Sequence, residues 1–171
     1  MFAAQILGFV SLVIVVVITF MKDIRKILVG EITVNLVVGL NYLLLGGYSS
    51  AGLAVVSVAH AVVSYMLNKQ NKKFPLYLTF IFIAVYVSWT MVSYQSWLDL
   101  LPVSCSVLYS IAIIQSQASG YRLVKLANSL IWIVYDVMIA AYSTTITHSF
   151  LLVAGIIAIV KLDLMSKEKQ A

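Results

Sequence analysis

Three side chains that could recognise a small molecule, Asn128, Trp132 and Asp136, recur at every fourth position of an apolar stretch. On a helix this spacing places them on one face, stacked one turn apart. Asp136 could bind a cationic or hydroxyl-bearing solute or accept a proton, and Trp132 could stack on a flat solute. Because a carboxylate inside a membrane helix costs about 2.5–3.5 kcal/mol on insertion scales, Asp136 is the leading candidate. The alternatives are that Asp136 reaches the outer interface or bonds a neighbouring Tyr or Asn, and that Trp132 only packs.

Two further amides, Asn35 and Asn41, lie in the second apolar stretch. Asn35 shares a helix face with Gly39, whereas Asn41 points elsewhere. If the second and sixth stretches face each other, Asn35 is nearly equivalent to Asn128, and the two amides could pair or line a cavity. Buried Asn also joins membrane helices to one another, so a purely structural role fits the pattern equally well.

His60 and Pro102 are candidates of a different kind. His60 lies in the middle of the third stretch, with Ser57 and Ser64 on its helix face. It could be a pH-sensitive group on a solute path, or a neutral histidine hydrogen-bonded to a neighbouring helix. Pro102 either bends the fifth stretch or occupies its first turn. A bend could act as a hinge during transport, so Pro102 is the predicted hinge.

The chain offers little for catalysis or metal binding. Its single cysteine, Cys105, excludes an intrachain disulfide and a metal site made of several cysteines. We place His60 in a helix centre and His148 in an outer loop, too far apart to share a metal ion. The sequence has no nucleophile–base pair and no phosphate-binding loop. We therefore expect no catalytic residue, no metal, no cofactor and no enzyme activity.

The elements that carry these residues are apolar segments that follow one another along the chain. Of its 171 residues, 63% are hydrophobic and 10% are charged, whereas a soluble domain has about a quarter charged residues. Seven segments are close to the length of a spanning helix, about 17–25 residues. They run approximately over Ala3–Met21, Lys26–Gly46, Ser50–Leu67, Pro75–Ser93, Leu98–Gln115, Arg122–Tyr142 and Ser149–Met165. The sequence therefore predicts an all-α, polytopic membrane protein with seven transmembrane helices.

The basic residues predict the orientation of these helices. The chain has 11 Lys and Arg and a net charge of +5. All of them lie near the connections that follow the first, third, fifth and seventh segments: Lys22, Arg25, Lys26, Lys69, Lys72, Lys73, Arg122, Lys125, Lys161, Lys167 and Lys169. With seven spans they share one side, which by the positive-inside rule is the cytoplasm. We expect an outside N-terminus, a cytoplasmic C-terminus and no nucleic-acid partner. Glu31 is expected to form an ion pair with Lys26 or Lys125.

The chain divides into two similar halves around one segment. A shift of 93 positions aligns Asn35 with Asn128, and a shift of 94 aligns the apolar and basic blocks in order. Because the segment between the halves reverses the chain, both halves run in the same direction, a plan known from transporters. We predict a single transmembrane domain, residues 1–171, with a three-helix repeat, a linker helix and a second repeat at 1–68, 74–94 and 97–165.

Four short stretches give the chain a resemblance to a known family. They are KDIRK after the first segment, NYLLLGGYSSAG between the second and third, DLLPVS in the fifth and SLIWIVYD in the sixth. On these stretches the chain resembles the YgjV family of bacterial inner membrane proteins, which implies that location. Its three-one-three plan is similar to that of PQ-loop and SWEET-like transporters, which have a proline where Pro102 lies. The first half has Gly8-Phe9 at that position, and the chain has no Pro-Gln pair, which departs from the sugar-transporter pattern.

The leading hypothesis from these observations is a transporter or facilitator of a small solute, with alternating access to a central polar site. Its predicted site residues are Asn35, Asn41, His60, Asn128, Trp132 and Asp136. The expected partners are the lipid bilayer and a small-molecule solute whose identity is open, as is assembly into a homo-oligomer. The alternative is a non-transporting inner membrane partner or assembly protein, which would have a tightly packed centre.

Overall fold

A computed structural model describes residues 2–44, 48–92, 97–138 and 142–164. Within these ranges all regular structure is helical, which confirms the predicted all-α class with seven helices. The helices are α1 Phe2–Thr19, α2 Ile24–Leu44, α3 Tyr48–Lys69, α4 Leu76–Val92, α5 Leu100–Ile113, α6 Ala118–Met138 and α7 Tyr142–Ala158. A short 3₁₀ helix, Trp97–Asp99, precedes α5, and α7 ends in π-helical turns, Ile159–Leu164.

Two predicted helix starts are wrong, because polar residues there were taken to mark connections. The sixth helix begins at Ala118 rather than Arg122, and the seventh begins at Tyr142 rather than Ser149. A helix end can accommodate polar side chains when they bond to its own carbonyls. The Ser149 hydroxyl, for example, donates to the carbonyl of Thr145 at 2.8 Å. Residues 145–148 are therefore helical and do not form an outer loop.

Helices that are consecutive in the chain are also neighbours in space. α2 packs against α1 and α3, and α6 packs against α5 and α7. α4 contacts α3 and α5, while α1 contacts α7, which closes the arrangement into a ring. α2 and α6 also touch each other. Polar side chains on these two helices can therefore meet in the interior.

Small residues set how closely α2 approaches its neighbours. A methyl group added to Gly30 would overlap the side chain of Ile18 on α1. One added to Gly39 would lie 3.2 Å from the methyl group of Ala54 on α3. Small residues at helix contacts are the usual means of close backbone approach in membrane proteins. This close packing determines which face of α2 is left for α5 and α6.

Among the described residues, large apolar side chains lie on the surface as well as in the core, and several polar side chains are buried. Large exposed side chains on α1, α4 and α7 are apolar, including Phe9, Val17, Leu76, Phe80, Met91, Phe150 and Val153. The buried side chains include Glu31, His60, Ser64, Thr79, Ser110, Arg122 and Asn128. Soluble proteins rarely expose apolar patches larger than a few hundred Å². Within the described ranges, two stretches, Ala51–Lys69 and Thr145–Asp163, are long and apolar enough to cross a membrane, and three shorter helices are also apolar.

Two arginines tie together the basic end of the bundle. Arg25, at the start of α2, donates to the side-chain oxygen of Asn68, in the last turn of α3, at 3.2 Å. It also donates to that of Asn71, in the α3–α4 connection, at 2.9 Å. Arg122, in the second turn of α6, donates to the carbonyl of Met21 at 2.6 Å and pairs with Asp163 beyond α7. These contacts bring the α1–α2 and α3–α4 connections, the start of α6 and the end of α7 to one end.

Candidate functional site

A buried carboxylate on α2, Glu31, lies at the contact between α2 and α6. Its side chain is only 1% exposed. The Tyr121 hydroxyl donates to Oε1 of Glu31, and Nζ of Lys125 lies 3.1 Å from the same oxygen. Tyr121 and Lys125 are one turn apart on α6, so both reach the same partner on α2. The predicted ion pair of Glu31 is confirmed, with Lys125 as the partner.

Asn35 and Tyr109 extend this contact to α5. The Asn35 amide donates to the Glu31 carbonyl at 2.7 Å and to the Tyr109 hydroxyl at 3.1 Å. The Lys125 ammonium lies 5.3 Å from the ring centroid of Tyr109 and 5.7 Å from that of Tyr121. Cations are attracted to aromatic faces at such distances. The five residues form a polar cluster, here named the central network, whose carboxylate has one cation and several hydrogen-bond donors.

His60 lies beside the central network in a cage of aromatic rings. Its imidazole is 0% exposed and stacks on Phe82, with centroids 4.1 Å apart and planes 2° from parallel. Phe74 and Tyr109 approach it at 5.3 Å and 6.3 Å. No described residue bonds to either ring nitrogen, so the alternative in which His60 is hydrogen-bonded to a neighbouring helix is not the arrangement found. Aromatic rings fill its surroundings. A buried polar group that has no hydrogen-bond partner costs about 1–3 kcal/mol of stability.

A hydroxyl pair anchors the other side of this cage. The Ser57 and Tyr86 oxygens are 3.0 Å apart, and Ser57 also donates to the carbonyl of Leu53 at 3.0 Å. The Tyr86 ring lies 6.4 Å from the ring of Tyr109. The cage is therefore continuous with the central network through Tyr109.

The predicted amides do not come together as a set. Asn35 belongs to the central network, but no hydrogen bond joins it to Asn128 within the described part of the chain. Asn128 is buried, and its side-chain oxygen has no partner among those residues. Asn41 faces α1, where its amide nitrogen lies 3.7 Å from the position of a methyl group added to Gly8. Its oxygen is likewise without a described partner. α2 thus presents Asn35 and Asn41 to different neighbours.

The ring of Trp132 packs against other side chains of the protein. Its ring stacks on His148 of α7, with centroids 5.5 Å apart and planes 13° from parallel, and meets Tyr135 at 5.7 Å. His148 was expected in an outer loop, and that expectation is wrong because α7 begins before it. Asp136 lies one turn beyond Trp132 in α6, but its side chain falls outside the described residues.

Pro102 occupies the first turn of α5. It follows the 3₁₀ helix Trp97–Asp99, and α5 continues without interruption to Ile113. A proline in the first turn costs no helical hydrogen bond, because the amide there has no partner within the helix. The Ser106 hydroxyl donates to its carbonyl at 3.0 Å. Of the two placements considered, the structure has the first-turn position rather than a bend within α5.

Sequence reasoning missed two of the five residues of the central network and one buried ion pair. It placed Arg122 at the cytoplasmic start of the sixth segment, yet this side chain is only 4% exposed and pairs with Asp163. Tyr109 and Tyr121 were not singled out, because tyrosine is common in apolar helices. The available signal was the spacing of Tyr121 and Lys125, together with one acidic residue, Glu31, inside an apolar segment. In the described ranges no three His, Cys, Asp or Glu residues are grouped to hold a metal ion.

Comparison with known proteins gives one match. The sequence profile of the Imp-YgjV family, described as bacterial inner membrane protein, matches residues 2–166. No curated protein and no solved structure matches the chain.

Proposed function

The chain belongs to the Imp-YgjV family of bacterial inner membrane proteins, and we propose that it is a transporter or facilitator of a small solute. The observation that carries this proposal is the central network. A charged pair inside a membrane protein is costly, and such residues commonly mark solute or proton pathways. Replacing a buried ion pair with apolar residues is often neutral or stabilising, so stability alone gives little reason to keep one.

In the proposed mechanism the two three-helix units, residues 1–68 and 97–165, rock about the polar interior, and the helix at 74–94 links them. The solute would contact Asn35, Asn41, His60, Asn128, Trp132 and Asp136. Pro102, in the first turn of α5 and close to the 3₁₀ helix that precedes it, would be the hinge. The chain would cross the membrane seven times, with its basic end in the cytoplasm. His60, Asn41 and Asn128 have buried polar atoms with no hydrogen-bond partner among the described residues. These atoms support a solute site, because a solute could supply the missing hydrogen bonds.

A second candidate function is a non-transporting membrane partner or assembly protein. The Trp132–His148 stack favours it, since this ring is occupied by the protein's own residue. So do the hydrogen bonds within the central network, which satisfy Glu31 without a ligand. The two functions differ in whether water reaches the interior from both sides of the membrane.

A labelling experiment separates them without knowledge of the solute. In a Cys105→Ala background, Asn35→Cys and Asn128→Cys would be treated with a membrane-impermeant maleimide in right-side-out and inside-out vesicles. Alternating access predicts that both positions react from both sides. Val55→Cys is the matched control, because this α3 residue is exposed on the apolar surface and should react from neither side. Absence of labelling at positions 35 and 128, or labelling from one side only, would contradict alternating access.

Once a transported solute is identified, Asp136→Asn tests the role of the carboxylate. We expect uptake into proteoliposomes to fall at least about tenfold, the effect of losing a charged hydrogen bond worth roughly 1.5–3 kcal/mol. The amide keeps the size of the side chain and removes only its charge. Unchanged uptake would remove Asp136 from the mechanism.

A further inference from the structure

A cleft opens at the basic end of the bundle, between the α3–α4 and α5–α6 connections. Its volume is about 230 Å³, and Leu28 and Ile113 contribute to its apolar lining. Its polar lining residues are Ser64, Asn68, Lys72, Lys73, Gln115 and Ser116. Sites for drug-sized ligands usually have volumes of about 300–1,000 Å³, so this cleft suits a smaller group.

The polar lining is cationic and rich in hydrogen-bond donors. Lys72 and Lys73 bring two ammonium groups, and no carboxylate is among the described lining residues. Because Oδ1 of Asn68 accepts a hydrogen bond from Arg25 at 3.2 Å, the group that Asn68 can offer a ligand is its NH₂. Two positive charges with neutral donors and no acid favour an anion that carries one or two negative charges.

A buried hydroxyl in the lining supplies an independent indication of a ligand. Ser64 is only 4% exposed, and its oxygen has no hydrogen-bond partner among the described residues. Elsewhere in the bundle, serine hydroxyls bond to the carbonyl four residues earlier, as Ser110 does to Ser106 at 3.0 Å. Ser64 is one of the residues that line the cleft, and its unpaired hydroxyl could donate to a bound oxyanion once the side chain turns toward the cleft.

The turn that carries the two lysines is held in place before any ligand binds. Asn71 adopts the left-handed conformation, with φ of 54°, and the Lys72 amide donates to the Leu67 carbonyl at 2.9 Å. This pattern is the C-terminal capping motif in which Gly or Asn ends a helix. Arg25 also holds the Asn71 side chain at 2.9 Å. The backbone of the lysines is therefore positioned by three residues that need no ligand.

We propose that this cleft binds a phosphate group, either of a free phosphate compound or of an anionic lipid headgroup. At neutral pH inorganic phosphate or a phosphomonoester carries a charge of about −1.5 to −2, and the phosphodiester of a lipid headgroup carries a single negative charge. Both accept several hydrogen bonds, which suits two lysines, the Ser64 hydroxyl and the Asn68 amide. The site does not depend on transport, because binding requires only the cleft. It involves none of the residues assigned to the central network.

The test measures the binding of inorganic phosphate to the purified full chain in an uncharged detergent. Calorimetric titrations would be run at matched ionic strength, since exposed lysines attract anions non-specifically. We expect saturable binding that Lys72→Gln/Lys73→Gln weakens at least about tenfold. Lys69→Gln, compared with the single variants Lys72→Gln and Lys73→Gln, is the matched control, because it removes one lysine charge from an exposed residue of α3 that does not line the cleft. It should leave binding unchanged.

Ser64→Ala provides a second test, in which a loss of phosphate binding can be distinguished from a loss of folding. Without phosphate its thermal midpoint should equal or exceed that of the natural chain, because the buried hydroxyl has no partner to lose. Its phosphate affinity should nevertheless fall about threefold or more, the effect of losing one neutral hydrogen bond.

A lipid arm identifies the source of the phosphate. Phosphatidylglycerol would be added to the detergent-purified chain, with phosphatidylcholine as the lipid of no net charge. Binding of phosphatidylglycerol but not of inorganic phosphate, with loss in the double lysine variant, assigns the cleft to a lipid headgroup. Binding of inorganic phosphate with the same loss assigns it to a soluble ligand. The proposal is overturned if neither ligand binds, or if Lys69→Gln weakens binding as much as the double variant.

Discussion

Glu31 and Lys125 form an ion pair whose two members are buried to different degrees. The Glu31 side chain is 1% exposed and that of Lys125 is 27% exposed. A lysine can extend its long chain to bring the ammonium to water, whereas a short carboxylate in the interior cannot. Removing Lys125 should therefore destabilise the protein more than removing the charge of Glu31.

Single and double variants of the pair should reveal this inequality. Lys125→Met should lower the free energy of unfolding by about 3 kcal/mol, because it leaves a buried carboxylate without its cation. Glu31→Gln should cost about 1–2 kcal/mol, since glutamine still accepts from Tyr121 and Lys125 can reach water. Equilibrium unfolding in mixed micelles would measure both. The double variant should lie close to Glu31→Gln, and equal losses in the two single variants would contradict this account.

His60 shows a different way to keep a polar side chain in the interior. Its ring is held by stacking on Phe82 and by the edges of neighbouring aromatic rings, with both nitrogens unmet among the described residues. Ring stacking supplies part of the contact energy that hydrogen bonds would otherwise give. A buried polar side chain without hydrogen bonds lowers the stability of the fold. We therefore expect a ligand or a water molecule to bond to His60 in another state of the protein.

α2 contacts a different set of helices on each of its faces, so its position determines the arrangement of the interior. Gly30 lets it approach α1, Gly39 lets it approach α3, and Glu31 with Asn35 faces α5 and α6. A shift of α2 away from α1 would therefore also move its polar residues relative to α6. Close packing and the position of the central network are linked through this one helix.

Glycine-to-alanine changes on α1 and α2 test that link. Gly30→Ala should lower the free energy of unfolding by about 1–3 kcal/mol, because its methyl group overlaps the buried side chain of Ile18. Gly8→Ala is the matched control: its methyl group would be 3.7 Å from the nearest atom, the amide of Asn41. This change should be neutral or stabilise by up to about 1 kcal/mol through helix propensity. Equal effects of the two substitutions would argue against a tight α1–α2 contact.

Across the described part of the molecule, large apolar side chains face outward, and Arg25 and Arg122 lie at one end of the bundle. The hydrophobic driving force between helices is weak in lipid, so packing of small residues and polar contacts must hold the bundle together. Arg25 and Arg122 supply such contacts at the basic end, where they join connections that are far apart in the sequence. A one-sided cluster of positive charge is the feature that orients membrane proteins.

Reporter fusions test the orientation that this charge predicts. Alkaline phosphatase, which is active only outside the cytoplasm, should be inactive when fused after Gln117, in the α5–α6 connection. It should be active when fused after Gln95, in the α4–α5 connection. A green fluorescent protein at the same two positions should give the opposite pattern and serves as the control. Phosphatase activity after Gln117 would invert the proposed topology.

The sequence alone was sufficient for the helix number, the all-α class and the family. Apolar runs of spanning length and short polar connections are local features, so each can be recognised without knowledge of the others. It also indicated that Glu31 would pair with a cation, because one acidic residue in an apolar segment has few alternatives. It did not show where α7 begins, because polar residues are found both in connections and in first helical turns.

Only the tertiary structure decided which polar side chains meet. Spacing placed Asn35 and Asn128 as potential partners, but Asn35 bonds to Tyr109 and Glu31 instead, and Trp132 meets His148. These outcomes depend on the rotation of each helix about its axis and on its separation from its neighbours. Both are set by contacts between distant segments, such as Gly30 with Ile18 and Arg122 with Asp163. The period of a helix indicates which residues share a face, but the packing of the other helices determines what that face contacts.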